Sequence, residues 1–171
     1  MRHEPQMLNV DALQKISRMC FVCGQDNHMS LQSQFLELEN GRLCAVFRTV
    51  EEHQSYPGRV HGGVISAVMD ETIGRVVQIK YPEVFGVTIE LNVKFRQPVP
   101  LNQELRVLAW ELSSTAKVFD GQALLLLADN TVAAEATARY LRQPLEGITA
   151  DGLAADEWFD DTRPYPERLK V

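Results

Sequence analysis

Hydrophobic positions along this chain switch between two spacings, and the switch points outline a fold. Over residues 61–80, Ile65, Val68, Met69, Ile73, Val76 and Ile79 recur every three to four positions and fall on one broad arc of a helix. Glu71, Arg75 and Gln78 gather on a narrow polar arc, with Glu71 and Arg75 at the i,i+4 spacing of an ordinary surface ion pair. Tyr56-Pro57-Gly58 supplies turn chemistry before this stretch and Tyr81-Pro82 prevents its continuation, so the spacing predicts one long core helix.

Elsewhere the period drops to two. In residues 87–96, Val87, Ile89, Leu91, Val93 and Phe95 alternate with Thr88, Glu90, Asn92, Lys94 and Arg96, which predicts a strand with one face on the helix and a polar face opposite. Residues 31–38 and 43–49 flank Glu39-Asn40-Gly41, a strong hairpin signal. After Gln97-Pro98-Val99-Pro100, residues 105–112, 116–128 and 131–141 read as three more strands, with turns at Ser113-Ser114 and Asp129-Asn130. Residues 9–20 place Val10, Leu13 and Ile16 roughly on one side, with Asn9 or Asp11 as a cap, and read as a short amphipathic helix.

The chain therefore divides into a helical lead-in (1–19), one domain (20–142) and an acidic extension (143–171). The extension, rich in Pro and Gly and anchored by Leu153, Trp158 and Phe159, reads as packed on the surface or partly disordered. The domain is α+β, an antiparallel β-sheet wrapped around one long central helix.

Composition adds exclusions. At 171 residues, 45% apolar and 23% charged, the chain suffices for one domain with a real core. Neither a membrane-length apolar run nor a signal-peptide h-region is present, so a cytoplasmic protein with no membrane partner is expected. A net charge of −6 without a Lys/Arg cluster argues against nucleic acid.

Asp70 breaks the helix pattern. It projects beside Ser66, Ala67 and Gly74, and no cation lies three or four residues away. Such a carboxylate is either a solvated acid or a site. At the other end of the helix, Gly62-Gly63 leaves the first backbone N–H groups uncovered, an arrangement that attracts an anion or a developing oxyanion. Cys20 and Cys23, with Cys44 and His28, raise the question of zinc. A second Cys-x-x-Cys or His-x-x-His is absent, so no metal is expected.

The same residues carry a family resemblance. Gln54-Ser55-Tyr56-Pro57-Gly58-Arg59-Val60-His61-Gly62-Gly63, with Asp70-Glu71 nine and ten positions past the histidine, resembles the signature of hotdog-fold acyl-CoA thioesterases of the PaaI-like branch. Cys20-Phe21-Val22-Cys23-Gly24-Gln25-Asp26-Asn27 resembles the Cys-x-x-Cys-Gly-x-x-Asn stretch that opens many members, and residues 86–98 resemble the strand after the helix. The resemblance covers roughly residues 20–142. It implies a hotdog fold, hydrolysis of an acyl-CoA substrate to free acid and CoA without a cofactor, and self-association as a dimer or dimer of dimers.

On that reading Gly62, with Gly63 beside it, offers backbone N–H to the oxyanion, and Asp70 attacks the thioester or activates water. Thr88 matches a hydroxyl position able to hold the water. Gln54 matches a polar position, while Ser55 stands where some relatives carry Asn or Gly. Arg59 and Lys117 are the cations expected near CoA phosphates. His61 is read as a hydrogen-bonded residue at the substrate and not a base, because no Ser-His-Asp set accompanies it. Glu71 is assigned to the surface or to support, and Trp110 and Tyr140 to the core.

The alternative reading is a non-catalytic acyl-CoA-binding module, which would have no need of Asp70. A dehydratase would pair a histidine with an acid, and no Asp-x-x-x-x-His pattern occurs. Gly62 and Asp70 are eight residues apart, about 12 Å on one helix, so hydrolysis calls for a site assembled from two chains.

Overall fold

The long helix forms over Gly62–Arg75 (α1), and its last turn tightens into a 3₁₀ turn over Val76–Ile79. The computed structural model describes residues 1–149 and 157–171. Ten strands accompany α1: β1 (Met7–Leu13), β2 (Ile16–Ser17), β3 (Gln34–Leu38), β4 (Leu43–Arg48), β5 (Val84–Phe95), β6 (Glu104–Ser114), β7 (Val118–Leu126), β8 (Val132–Pro144), β9 (Trp158–Phe159) and β10 (Arg168–Lys170). Eight of them make one antiparallel sheet in the order β10-β1-β3-β4-β6-β7-β8-β5, and β2 pairs with β9. No helix among the described residues is long and apolar enough to cross a membrane.

The sheet buries the apolar arc of α1. Val68, Met69 and Ile73 are fully buried among Phe119, Ala123, Leu125 and Ala136 of the central strands, each such large side chain stabilising the fold by about 1.5–3 kcal/mol. A second apolar cluster, centred on Leu36, Leu38, Cys44 and Leu108, is covered from the margins by Leu8, Val10, Leu169 and the buried Val171.

Three expectations need correction. Residues 9–20 are not helical: β1 pairs with β3 on one side and β10 on the other. Leu8, Val10 and Ala12 are half-buried while Met7, Asn9 and Asp11 are exposed, a period of two that the helical reading overlooked. The bare edge of β3 satisfies the backbone of this segment better than an isolated short helix could. Asn9, read as a cap, instead donates from Nδ2 to Glu39 Oε2 at 2.8 Å.

The alternation in β5 is also interrupted. Register against β8 shifts between Thr88, opposite Tyr140, and Glu90, opposite Arg139, so a bulge reverses the facing of the strand. Thr88 therefore points at α1 from the segment before the bulge, whereas Leu91 and Val93 join the core after it. Finally, the polar arc of α1 is not solvated, since Arg75 and Gln78 are both buried.

The described part of the C-terminal extension is ordered against the domain, through β9 on β2 and β10 on β1. Trp158 packs edge-on to Phe85 with ring centroids 5.3 Å apart. Leu153 lies outside the described residues.

Candidate active site

Asp70 sits in the middle of α1 where the helix comes closest to β5 and β8. Gly86 permits that approach: a Cβ there would lie 2.8 Å from the carbonyl oxygen of Gly74 and 3.0 Å from the ring of Tyr140. Two hydroxyls converge on one carboxylate oxygen. Thr88 Oγ1 donates to Asp70 Oδ1 at 2.9 Å, and the Tyr140 hydroxyl lies 2.9 Å from Oδ1 and 2.8 Å from the Asp70 carbonyl oxygen. Oδ2 has no hydrogen-bond partner among the described residues. Burial, and then the carboxylate beside it, push the Tyr140 phenol well above its ordinary pKa, so Tyr140 stays a donor.

The carboxylate opens on a cleft of about 300 Å³ whose walls include Thr88, Tyr140, Phe85, Ile148 and Trp158. A second cavity of about 310 Å³ shares Phe85, Leu145 and Trp158 with it. The far wall of the cleft holds a different kind of group. Arg75, 4% exposed, donates from Nε to Glu71 Oε1 at 2.7 Å, from Nη1 to the Lys15 carbonyl at 2.8 Å and from Nη2 to Cys23 Sγ at 3.3 Å. Its guanidinium also lies over the rings of Phe35 and Trp158, at 4.2 and 4.8 Å from their centroids. Glu71, assigned to the surface or to support, is thus half of a largely buried ion pair.

The other candidates, Lys117 apart, lie at the N-terminal end of α1 and in the loop before it. His61 caps the helix, its Nδ1 accepting from the Gly63 N–H at 2.9 Å. That bond commits the Gly63 N–H and fixes the imidazole proton on Nε2. The Gly62 N–H has no partner among the described residues, and a Cβ on Gly62 would meet only the ring of Phe95, at 3.4 Å.

Upstream, Gln54 Oε1 accepts from the Gly58 N–H at 2.8 Å and closes the exposed loop that carries Ser55 and Arg59. Lys117 lies in the exposed β6–β7 hairpin. Gln54, Ser55, Arg59, His61, Gly62, Gly63 and Lys117 do not line the Asp70 cleft. Of the sequence candidates, only Asp70 and Thr88 line this cleft.

Tyr140 is the residue that sequence reasoning placed in the core alone. It is indeed 1% exposed and stacked on Phe119, yet its hydroxyl serves the carboxylate. A buried tyrosine must find a partner for its O–H. Asp70, the helix's unpaired acid, is what it finds.

Comparison with known proteins agrees with this architecture. Residues 57–134 match the family described as the thioesterase superfamily. The chain is 27% identical over 107 residues to the mouse (Mus musculus) acyl-coenzyme A thioesterase THEM4, a match covering 59% of this chain and 43% of that protein. The chain thus spans less than half the length of that curated relative. Among solved structures, a thioesterase superfamily protein aligns with TM-score 0.66 at 22% identity, over 74% of this chain and 61% of the other. A hypothetical thioesterase from Streptococcus pneumoniae TIGR4, crystallised with coenzyme A, aligns with TM-score 0.56 at 17% identity, over 61% of this chain and 82% of the other.

One antiparallel sheet around one long helix is the architecture these structures share. The chain shares the hotdog fold of these structures, and its residues 57–134 resemble the thioesterase superfamily.

Proposed function

We propose that the chain hydrolyses an acyl-CoA thioester to free acid and CoA, with Asp70 as general base or nucleophile. The observation that carries this reading is the Asp70 carboxylate itself. One oxygen is held by two neutral hydroxyls, while the other, without a partner among the described residues, borders a cleft lined by Phe85, Ile148 and Trp158 as well as by Arg75, Gln78 and Glu157. Neutral donors fix the carboxylate without neutralising it, so Oδ2 keeps the lone pair that removes a proton from water or attacks carbon. Phe85, Ile148 and Trp158 supply an apolar wall for the acyl group beside the reacting carbon. The coenzyme A in the related Streptococcus structure and the activity in the mouse protein's name agree in substrate class.

The tetrahedral intermediate needs a donor within about 3 Å of its oxyanion. On this reading that donor is the unpartnered Gly62 N–H, and it comes from a second copy of the chain. β5 is one of the two edge strands of the sheet, and Val87 and Ile89 are exposed on it at 37% and 58%. Pairing two such edges covers them and sets the N-terminus of one α1 near Asp70 of the other. Arg59 and Lys117 are the cations this assembly offers to the CoA phosphates, and Gln54, Ser55 and His61 border the same helix end.

Two measurements test the reading. Thiol release is followed across short, long and aromatic acyl-CoAs, and turnover of at least one class is expected; none in the folded protein would overturn it. Complementation tests the shared site by mixing Gly62→Trp and Asp70→Ala variants under verified subunit exchange. Random re-pairing makes half the dimers mixed, each with one intact site, so about a quarter of wild-type activity should return. No recovery would place both groups within one chain.

A further inference from the structure

The Cys-x-x-Cys-Gly-x-x-Asn stretch has no part in the hydrolysis just described, yet each of its named residues is used to hold two sulfurs together. The Gly24 N–H donates to the Cys20 carbonyl at 2.8 Å, and a Cβ at Gly24 would collide with the backbone of Cys20, so only glycine closes this turn. Asn27 clamps the turn from outside, Nδ2 donating to the Met19 carbonyl at 3.2 Å and Oδ1 accepting from the Met29 N–H at 2.9 Å. Inside, the Cys20 and Cys23 sulfurs and a Glu71 carboxylate oxygen lie within 4.8 Å of one another.

The two thiols differ in access. Cys23 is fully buried, and its Sγ accepts from the Ser17 N–H at 3.4 Å and from Arg75 Nη2 at 3.3 Å. Cys20 is half-buried, with its Sγ accepting from the Val22 N–H at 3.3 Å. Both cysteines are free thiols.

Among the described residues, a zinc ion would find only three ligand atoms here. One of them, the Glu71 oxygen, is already committed to Arg75 at 2.7 Å. The guanidinium supplies the positive charge that the cluster needs.

We propose that Cys20 and Cys23 are a redox-active dithiol that oxidises to an intramolecular disulfide, with Cys20 as the attacking sulfur. The oxidant is a low-molecular-weight disulfide. The Cys20 thiolate attacks one of its sulfurs, forming a mixed disulfide and expelling the first small thiolate. That thiolate takes the Cys23 proton. Cys23 then attacks the Cys20 sulfur and expels the second small thiolate, so the protein dithiol is oxidised and the small disulfide is reduced to two thiols.

A hydrogen bond from Cys23 outweighs burial and the Glu71 charge and brings the Cys20 thiol down to about 7. Sharing that proton, together with burial, pushes Cys23 up despite Arg75. Near neutral pH, therefore, the accessible sulfur is the nucleophile and the buried one resolves. Cys44 lies outside the cluster, and full burial pushes its thiol up to about 12. This assignment does not depend on the hydrolase reading.

The test equilibrates the whole chain, without oxygen, in glutathione buffers of graded ratio, then quenches, alkylates under denaturing conditions and maps peptides by mass. The Cys20–Cys23 peptide should convert reversibly from two alkylated thiols to one disulfide, while Cys44 remains a thiol at every ratio. The Cys23→Ser variant should accumulate glutathione on Cys20, and Cys20→Ser should accumulate none on Cys23. Two alkylated thiols at every ratio, or a mixed disulfide on Cys23 but not Cys20, would overturn the proposal. So would stoichiometric zinc that protects both thiols in protein purified without added metal. The wild-type titration decides the question by itself where a variant fails to fold.

Discussion

Two carboxylates stand side by side on α1 and are held by different chemistry. Asp70 receives the hydroxyls of Thr88 and Tyr140 on one oxygen and presents the other to a cleft. Glu71, one residue on, is gripped by the buried guanidinium of Arg75, which itself reaches Lys15, Cys23, Phe35 and Trp158. A carboxylate paired with an internal cation is tied into the fold, because losing it would leave a buried charge unpaired. One positioned by neutral donors keeps its charge available for chemistry. The difference distinguishes the two acids more sharply than burial does, since both are half-buried.

Substitutions at each side should break the pair of roles apart. On the proposed mechanism Asp70→Asn removes the base while keeping the shape, and kcat for thioester hydrolysis should fall by about 10²- to 10⁴-fold with little change in the melting curve. Near-normal turnover would remove the distinction altogether. Glu71→Gln should do the reverse, costing about 3 kcal/mol in denaturant unfolding because it strands the buried Arg75 charge. That figure sits at the low end for buried pairs, since the Glu71 side chain is 31% exposed.

Tyr140→Phe keeps the stack on Phe119 and deletes only the donor to Asp70. About tenfold in kcat and about 1 kcal/mol of stability should be lost. Thr88→Val is the mildest change, with an effect of about threefold on kcat expected, because Tyr140 still holds Oδ1. Equal effects of the two hydroxyl deletions would show that the carboxylate is anchored by neither in particular.

Most of the frame was legible in the sequence because it rests on local periodicity. The long helix, the Asn40-Gly41 hairpin and the strands after Pro100 each announce themselves within a dozen residues. What escaped depends on partners distant in sequence. β1 is a strand because β3 and β10 flank it, and its alternation was too short to outweigh a plausible helical face. The bulge in β5 cannot be read from a strictly alternating stretch, yet it is what turns Thr88 toward Asp70.

The candidate site was half legible. Asp70 stood out as a polar residue with no local partner, whereas Tyr140 looked like one more large residue on an apolar strand face. Arg75 looked solvent-exposed because the 3.6 period says only that a face is polar. It does not say that residues 15, 23, 35 and 158 will cover it.

Gly62 has a consequence of a different kind. A side chain at this position would meet nothing but the edge of Phe95 at ordinary contact distance, so the backbone places no steric demand for glycine there. Alanine in the first turn would lower the conformational freedom of the unfolded chain and favour the helix by a few tenths to about 1 kcal/mol. Gly62→Ala should thus melt slightly higher while, on the proposed mechanism, turning over thioester more slowly. On that mechanism the helix begins with a residue that is suboptimal for durability and suited to access, a stability–activity trade-off confined to one hydrogen atom.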